Sequence, residues 1–454
     1  VTQSRFTVAK FGGTSVANFE AMQHSAKIVI NNPDTKLVVI SACSGVTNLL
    51  VELANGITDS SRKNEILSTL RDIHYSIIEH TSNKTALAAE INTLIDDIAT
   101  LAEQASLSST AKITDQLVSC GELLSTHIFT QVIADMGHRC QRFDIRPIMR
   151  TDNQYGKAVP DVAVLKALAL THLFPLCQEA IVVTQGFIGS DDEGNTTTLG
   201  RGGSDYSAAL IAEAVNANTL EIWTDVPGIY TTDPRIATRA TPIPEISFSE
   251  ASEMANFGAK ILHPSTLIPA IRQHIPVFVG SSKAPQDGGT WVKEEVDSSP
   301  LFRALTLRNN QTMVTLQSLN MYHAYGFLAE VFSILAKYRV SVDLITTSEV
   351  SVSLTLDTTD TSGKAPNLPA AAHEELSTLC KVTVEQGLSL VAVIGNKMGQ
   401  TKGSSRKIFN TLEDYNLRMI CYGASQHNLC FLVKQDDAHQ VIKDLHRDLL
   451  EPEY

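Results

Sequence analysis

The sequence predicts an α/β fold with a mainly parallel sheet over its first 290 or so residues, then two small α+β units of βαββαβ order. Three observations predict it. Glycine-rich turns follow apolar runs: Lys10-Phe11-Gly12-Gly13-Thr14-Ser15 after Phe6–Ala9, and Ser41-Ala42-Cys43-Ser44-Gly45-Val46-Thr47-Asn48 after Leu37–Ile40. Short, continuously apolar runs at Leu37–Ser41, Ala180–Phe187, Thr219–Trp223 and Ile275–Gly280 read as strands buried on both faces, as parallel strands are. The C-terminal third repeats itself: Phe327–Leu354 lies over Ser404–Phe431 without a gap, at an offset of 77 residues.

In chain order, the first two turns present backbone N–H groups where a strand passes into a helix, the arrangement that binds anions. Residues from about 48 to 135 carry Leu, Ile and Val at three- and four-residue spacing, which predicts amphipathic helices. A third turn, Gly200-Arg201-Gly202-Gly203-Ser204-Asp205, opens an apolar helical run near Tyr206. The segment from Lys283 through Glu294 and Asp297 to Pro300 is polar and rich in breakers, and is expected to be a linker. In the repeat, Phe332 meets Phe409, Leu335 meets Leu412, Tyr338 meets Tyr415 and Leu354 meets Phe431, each copy reading helix, strand, tight turn, strand. Flanking strands (Met313–Leu316, Lys381–Val384, Leu388–Ile394) and helices (Pro369–Leu379, Ala438–Leu449) complete the units.

Composition excludes several classes. A length of 454 residues suggests about three domains, and no apolar run approaches the ~18 residues of a membrane helix. Val1–Lys10 lacks the apolar stretch of a secretory leader. Seven scattered cysteines without paired spacing suit reduced thiols and a cytoplasmic location. There is no CxxC and no histidine cluster, so no bound metal is expected. A net charge of −13 argues against nucleic acid as the main partner, while anionic substrates would need a locally positive cleft.

GxxxxGK[ST], HRD and DFG are absent, and GxGxxG fails because Asp205 stands where its last glycine belongs. What remains is a distributed set. Lys10 and Lys260 are cations beside Gly12, Gly13 and Gly258; Arg201 sits in the glycine-densest turn; Asp205 follows it by four residues. Glu122 interrupts the apolar Ser119-Cys120-Gly121-Glu122-Leu123-Leu124-Ser125, and Thr224 to Arg235 follows a strand and ends in a proline-set turn. Phosphoryl transfer between anions needs cations, N–H donors and in-line positioning rather than a covalent nucleophile. Ordinary surface charges and ion pairs are the alternative for each residue.

Taken together, KFGGTS at 10–15, SxCSGVTN at 41–48, GExLS at 121–125, TTTLGRGGSDYSA at 196–208, WTDVPGIYTTDPR at 223–235 and MANFGAKILHP at 254–264 resemble the aspartokinases nearly end to end. The resemblance implies an amino-acid-kinase αβα sandwich over residues 1–295, followed over 303–454 by two ACT modules, about 313–386 and 387–454. It implies transfer of the γ-phosphoryl of ATP, carried with Mg²⁺, to the β-carboxylate of L-aspartate. Lys10 would stabilise the transferring phosphoryl, Asp205 would orient that lysine, and Gly12, Gly13 and Gly45 would donate N–H bonds. Thr47, Glu122, Arg201 and Ser204 would hold aspartate, with Glu122 on its α-ammonium and Arg201 forked on a carboxylate. Thr224, Asp225, Tyr230, Arg235 and Lys260 would line the nucleotide.

The C-terminal segment is similar to the monofunctional lysine-sensitive class. Asp343 aligns with Ile420 and Glu349 with Gln426, so only the first unit offers acids to a cationic amino acid. Lysine is therefore expected there, in a pocket shaped by Met321, Gly326, Phe327, Leu328, Ser341, Val342, Asp343, Ser348 and Glu349. Pairing of ACT sheets implies a homodimer or a dimer of dimers, with no membrane partner. A kinase for another small carboxylate amino acid, or a non-catalytic amino-acid sensor on the same scaffold, are the rival readings.

Overall fold

A computed structural model describes residues 5–200, 202–259, 262, 264–321, 325–357 and 365–451. The chain divides into two compact units. The first comprises residues up to Ile229 with Pro242–Phe248 and Ile261–Val296; the second comprises Tyr230–Thr241, Ser249–Lys260 and Asp297 onward.

In the first unit the elements run β1 (Thr7–Phe11), α1 (Phe19–Asn31), β2 (Thr35–Ile40), α2 (Val46–Ala54), α3 (Ser60–Ile78), α4 (Lys84–Leu107), α5 (Ala111–Asp135) and β3 (Cys140–Phe143). Then come α6 (Val162–Leu168), α7 (Phe174–Glu179), β4 (Ile181–Gln185), the hairpin β5–β6 (Ile188–Ser190, Thr196–Thr198), α8 (Gly203–Ala214), β7 (Thr219–Thr224) and β8 (Glu245–Ser247). After α9 (Phe248–Asn256), most of which belongs to the second unit, follow α10 (Pro264–Arg272), β9 (Val277–Ser281) and β10 (Gly289–Lys293). The sheet order is β3-β4-β2-β1-β7-β9-β10-β8, parallel from β3 to β9. The strand β10 turns back antiparallel to β9, so the polar segment after Lys283 is not wholly a linker. Thr290 explains the strand: its buried hydroxyl donates to the Ile243 carbonyl at 2.7 Å and accepts the Ile229 N–H at 2.7 Å, tying this polar run into the sheet.

Helix starts follow local chemistry. Asn18, Asp59 and Thr110 cap α1, α3 and α5 by accepting N–H bonds from residues 21, 61 and 113. Helices α1 to α5 pack Met22, Leu50, Ile66, Ile91 and Phe129 with β1 and β2 in one core. The helix α5 is buried on most sides; it and the stretch Val162–Glu179 are each long and apolar enough, on average, to cross a membrane, although neither is a continuous apolar run. Small residues such as Ser119, Cys120 and Gly121 interleave with its leucines, so the helix is apolar on average without an unbroken apolar run; 78% of its apolar window lies inside the fold, as in a core helix.

The second unit holds β11 (Phe302–Gln317), α11 (Phe327–Lys337), β12 (Val342–Thr347), β13 (Ser351–Leu356), α12 (Ala370–Ser377), β14 (Lys381–Gly395), α13 (Ser404–Thr411), β15 (Met419–Tyr422), β16 (Asn428–Lys434) and α14 (Gln435–Leu450). Its six-stranded sheet runs β12-β13-β11-β14-β16-β15. The repeat is visible in the elements: Gly326 and Gly403, both with left-handed φ, open α11 and α13 at the same repeat position. The two copies interleave, because β11 and β14 each run through both. Val314 and Leu316 of β11 pack with α11 in one core, while Leu305 of the same strand packs with Ile408, Phe431 and Val441 in the other. The pairing of β11 with β14 shifts register around Gln311, where the two halves meet.

Two segments before residue 295 join this unit through their own contacts. The Leu305 N–H donates to the Thr231 carbonyl at 2.7 Å, and Thr231 Oγ1 lies 2.9 Å from Nε2 of buried His446. On α9, fully buried Glu250 pairs with Arg303 at 2.9 Å, and Glu253 accepts from Ser425 at 2.5 Å and Asn428 at 2.6 Å.

Candidate active site

The parallel strands end level with one another. Phe11 stands beside Ile40 and Trp223, Ile40 beside Gln185, and Thr224 beside Ser281. Their following loops therefore leave the sheet side by side at its carboxyl edge, where ligands of open α/β sheets bind. Backbone bonds sew the loops together: Ser41 N–H to the Phe11 carbonyl at 3.2 Å, Ser44 N–H to Gly13 at 3.1 Å, and Ser282 N–H to Thr224 at 2.9 Å. The Ser15 and Ser282 hydroxyls meet at 2.6 Å.

Lys10, near the end of β1, points into this edge. Its Nζ lies 2.5 Å from Oδ1 of Asp205, in the first turn of α8, and both side chains are largely buried. The contact is an ion pair, and among the described residues no hydrogen bond reaches Asp205 Oδ1. The helix can start there because Gly202 adopts φ 73°, a left-handed conformation that costs a side-chain-bearing residue about 1–2 kcal/mol.

Glu122 comes from α5 and is 3% exposed. Burial pushes its carboxyl up to about 8, opposed by the Ala42 N–H, by its own N–H and by the positive charge of Lys10. Its Oε2 has no hydrogen-bond partner among the described residues. A buried carboxyl with an orphan oxygen suits an ammonium ligand, whose charge would favour the ionised form. The preceding Gly121 allows this approach: a Cβ there would lie 2.8 Å from that of Ala42. Ser125 Oγ fixes the contact by donating to the Ser41 carbonyl at 2.8 Å.

Thr47 lies in the first turn of α2, behind Gly45 at φ 83°, and Ser204 in the first turn of α8 against Gly186. Gly12 differs from the sequence expectation, since its N–H is committed to the Trp223 carbonyl at 3.2 Å. The strand spacing brings these two groups together, and the nearby Lys10 Nζ would lie 3.6 Å from a Cβ at this position. Thr224 donates from Oγ1 to Asp225 Oδ1 at 3.2 Å at the end of β7. Tyr230 and Arg235 belong to the second unit, where Arg235 is forked onto Asp233 at 3.0 and 2.6 Å and is 85% exposed. Arg201 and Lys260 lie outside the described residues.

One buried acid escaped the sequence reading. Asp115 of α5 is 1% exposed and accepts from Gly156 N–H at 2.9 Å, Thr198 N–H at 2.8 Å and Thr198 Oγ1 at 2.9 Å. Burial raises its pKa, and the three donors pull it back. Its signal in the sequence is a carboxylate seven residues before Glu122, on the same face of an apolar helix.

In the second unit Gly326 caps α11, Phe327 and Leu328 begin it, Ser341 precedes β12, and Val342 and Asp343 open that strand. Asp343 is paired with Arg308, a partner unforeseen in the sequence. Ser348 and Glu349 form the β12–β13 turn, with the Ser348 N–H donating to the Ser351 carbonyl at 2.8 Å. Met321 packs against the first repeat's core. Most of these residues are exposed, Leu328 among them.

A model of the amino acid kinase family matches residues 5–281, and an ACT domain model matches residues 391–449. Lysine-sensitive aspartokinase 3 of Escherichia coli is 54% identical over 99% of this chain and 100% of its own length. The chain belongs to the aspartokinase family. The chloroplastic aspartokinase 3 of Arabidopsis thaliana is 34% identical over 99% of the chain and 83% of its own length. Among solved structures, E. coli aspartokinase III in complex with aspartate and ADP (R-state) superposes with a TM-score of 0.90, covering 98% of this chain and 100% of that one at 54% identity. The same enzyme with lysine and aspartate (T-state) gives 0.83 over the same coverage at 54% identity. As an aspartokinase, this chain has the predicted fold class: an amino-acid-kinase α/β domain with a mostly parallel sheet, followed by ACT regulatory sequence.

Proposed function

We propose that this aspartate kinase transfers the γ-phosphoryl of ATP to the β-carboxylate of L-aspartate, giving 4-phospho-L-aspartate and opening the aspartate-derived amino-acid pathway, under feedback inhibition by lysine. The observation that carries the reading is Lys10 paired with Asp205 beside buried Glu122, on a chain 54% identical to a lysine-sensitive aspartokinase. Lys10 neutralises charge on the moving phosphoryl, and Asp205 holds its ammonium in place. Glu122 takes the α-ammonium of aspartate; Arg201 forks onto a carboxylate, and Thr47 and Ser204 help hold the substrate. The N–H groups of Gly13 and Gly45 face the phosphates. Magnesium enters as the ATP complex and neutralises phosphate charge there.

The nucleotide roles of Thr224, Asp225, Tyr230, Arg235 and Lys260 rest on family resemblance, as does assembly into a dimer or dimer of dimers. Free thiols at all seven cysteines suit a cytoplasmic enzyme. Lysine is assigned to the first ACT repeat, where Glu349 and Asp343 are acidic; for Asp343 the ε-ammonium must share the carboxylate with Arg308.

The test is Lys10→Ala, assayed by trapping the acyl phosphate with hydroxylamine. A fall of about 10³-fold in kcat is expected, with the circular-dichroism spectrum unchanged. Full turnover in that variant would remove Lys10 from the chemistry.

A further inference from the structure

The Asp115 contacts assign a role to a residue outside the substrate and phosphate groups. We infer that Asp115 is a positioning residue for aspartate recognition, acting through the turn that carries Arg201. The inference rests on the proposed substrate roles of Glu122 and Arg201.

One carboxylate oxygen of Asp115 accepts N–H bonds from two separate chain segments, at Gly156 and at Thr198; the other takes the Thr198 hydroxyl. These segments are also joined directly, by Ala158 N–H to the Thr198 carbonyl at 2.8 Å. Both abut the glycine turn. Thr198 lies two residues before Gly200, and a Cβ on Gly200 would lie 3.0 Å from the Gly156 carbonyl. On its other side the turn is held by Leu199 N–H to the Phe187 carbonyl at 2.9 Å, and Gly203 packs against the Phe187 ring. Gly200 therefore sits against the Gly156 loop and Gly203 against Phe187, and Asp115 clamps that loop to the strand that leads to Gly200.

Asp115 and Glu122 lie seven residues apart on one helix, so they share a face about two turns apart. A single rigid element then sets both ends of the substrate: Glu122 directly for the α-ammonium, Asp115 indirectly for the carboxylate that Arg201 holds. A structural clamp alone would be served by an apolar contact or a neutral amide. A nearly fully buried carboxylate engaged by three donors fixes direction as well as distance, at a desolvation cost. Misplacing a binding group by about 1 Å can cost on the order of 100-fold.

The experiment compares Asp115→Asn, Thr198→Val and Thr198→Ser in the full chain. Asparagine removes the charge that the two N–H donors share and keeps their bonds only if its NH₂ turns onto the Thr198 hydroxyl, and valine removes only the hydroxyl. The expected result is a KM for aspartate raised about 10- to 100-fold by Asp115→Asn and less by Thr198→Val, with KM for ATP held within about twofold. Thr198→Ser, which keeps the hydroxyl, should behave as the parent. If Asp115→Asn does not fold, Thr198→Val against Thr198→Ser decides the matter alone. Equal changes in both KM values, or a lowered melting temperature with both unchanged, would reduce Asp115 to a structural clamp and overturn the inference. Arg201→Lys, run in parallel, separates the two layers. If it raises KM for aspartate while the Asp115 and Thr198 variants do not, only the positioning role fails; if it changes nothing, the substrate reading of Arg201 fails and the inference with it.

Discussion

Glu122 carries the sharpest residue-scale consequence. With its carboxyl raised to about 8 by burial, it is mostly protonated at neutral pH in the unliganded protein. An α-ammonium can pair with it only after the proton leaves. Aspartate binding should therefore release a proton near pH 7, and KM for aspartate should fall as pH rises from 6 towards 8. Calorimetry in buffers of different ionisation enthalpy measures the release directly, and a value of zero at pH 7 would show that the carboxyl is already ionised. The stability sign is opposite. A raised folded-state pKa favours folding below the ordinary value of 4.5, and that contribution is lost as pH passes through about 8. Glu122→Gln should thus flatten the fall in melting temperature between pH 6 and 9 while raising KM for aspartate by 10-fold or more, the scale of losing a charged hydrogen bond. Lys10 and Asp205 were legible as charges beside glycine turns, and the family resemblance implied that one orients the other; the 2.5 Å distance between these residues from distant parts of the chain needed the fold.

At the scale of elements, α5 organises the first unit. Gly121 lets it approach the loop after β2, and Glu122 and Asp115 then work from one face. Gly121→Ala would place a methyl 2.8 Å from the Ala42 side chain and 3.3 Å from Leu50 and Val46. Overpacking of that kind costs about 1–3 kcal/mol, and chemical denaturation should show it together with a raised KM for aspartate. A midpoint unchanged within error would mean that the helix has room to shift. Most strands were readable because parallel strands leave continuous apolar runs. The strand β10 was not, since Gly289-Thr290-Trp291-Val292-Lys293 sits among breakers and is fixed by tertiary bonds to Thr290. Asp115 was overlooked for a related reason: its partners, Gly156 and Thr198, are main-chain donors 41 and 83 residues away and leave no side-chain pattern.

At the scale of the whole molecule, the repeat was legible at an offset of 77 because matched aromatics survive in both copies, but its interleaving was not. A single strand serving two cores looks, in sequence, like one more apolar run. Nor could the sequence show that Tyr230–Thr241 and Ser249–Lys260 fold with the ACT repeats, since Thr231, Glu250 and Glu253 find their partners at His446, Arg303 and Ser425. Effector recognition belongs to this scale. Asp343→Ala should weaken lysine inhibition while leaving uninhibited turnover intact, and inhibition curves that overlay those of the parent would move the ammonium partner to Glu349. The central claim is tested most directly by aspartyl-hydroxamate formation from the purified chain with ATP, Mg²⁺ and L-aspartate, repeated with millimolar lysine, threonine or methionine. The account predicts turnover that lysine alone suppresses. No turnover under any of these conditions would contradict it.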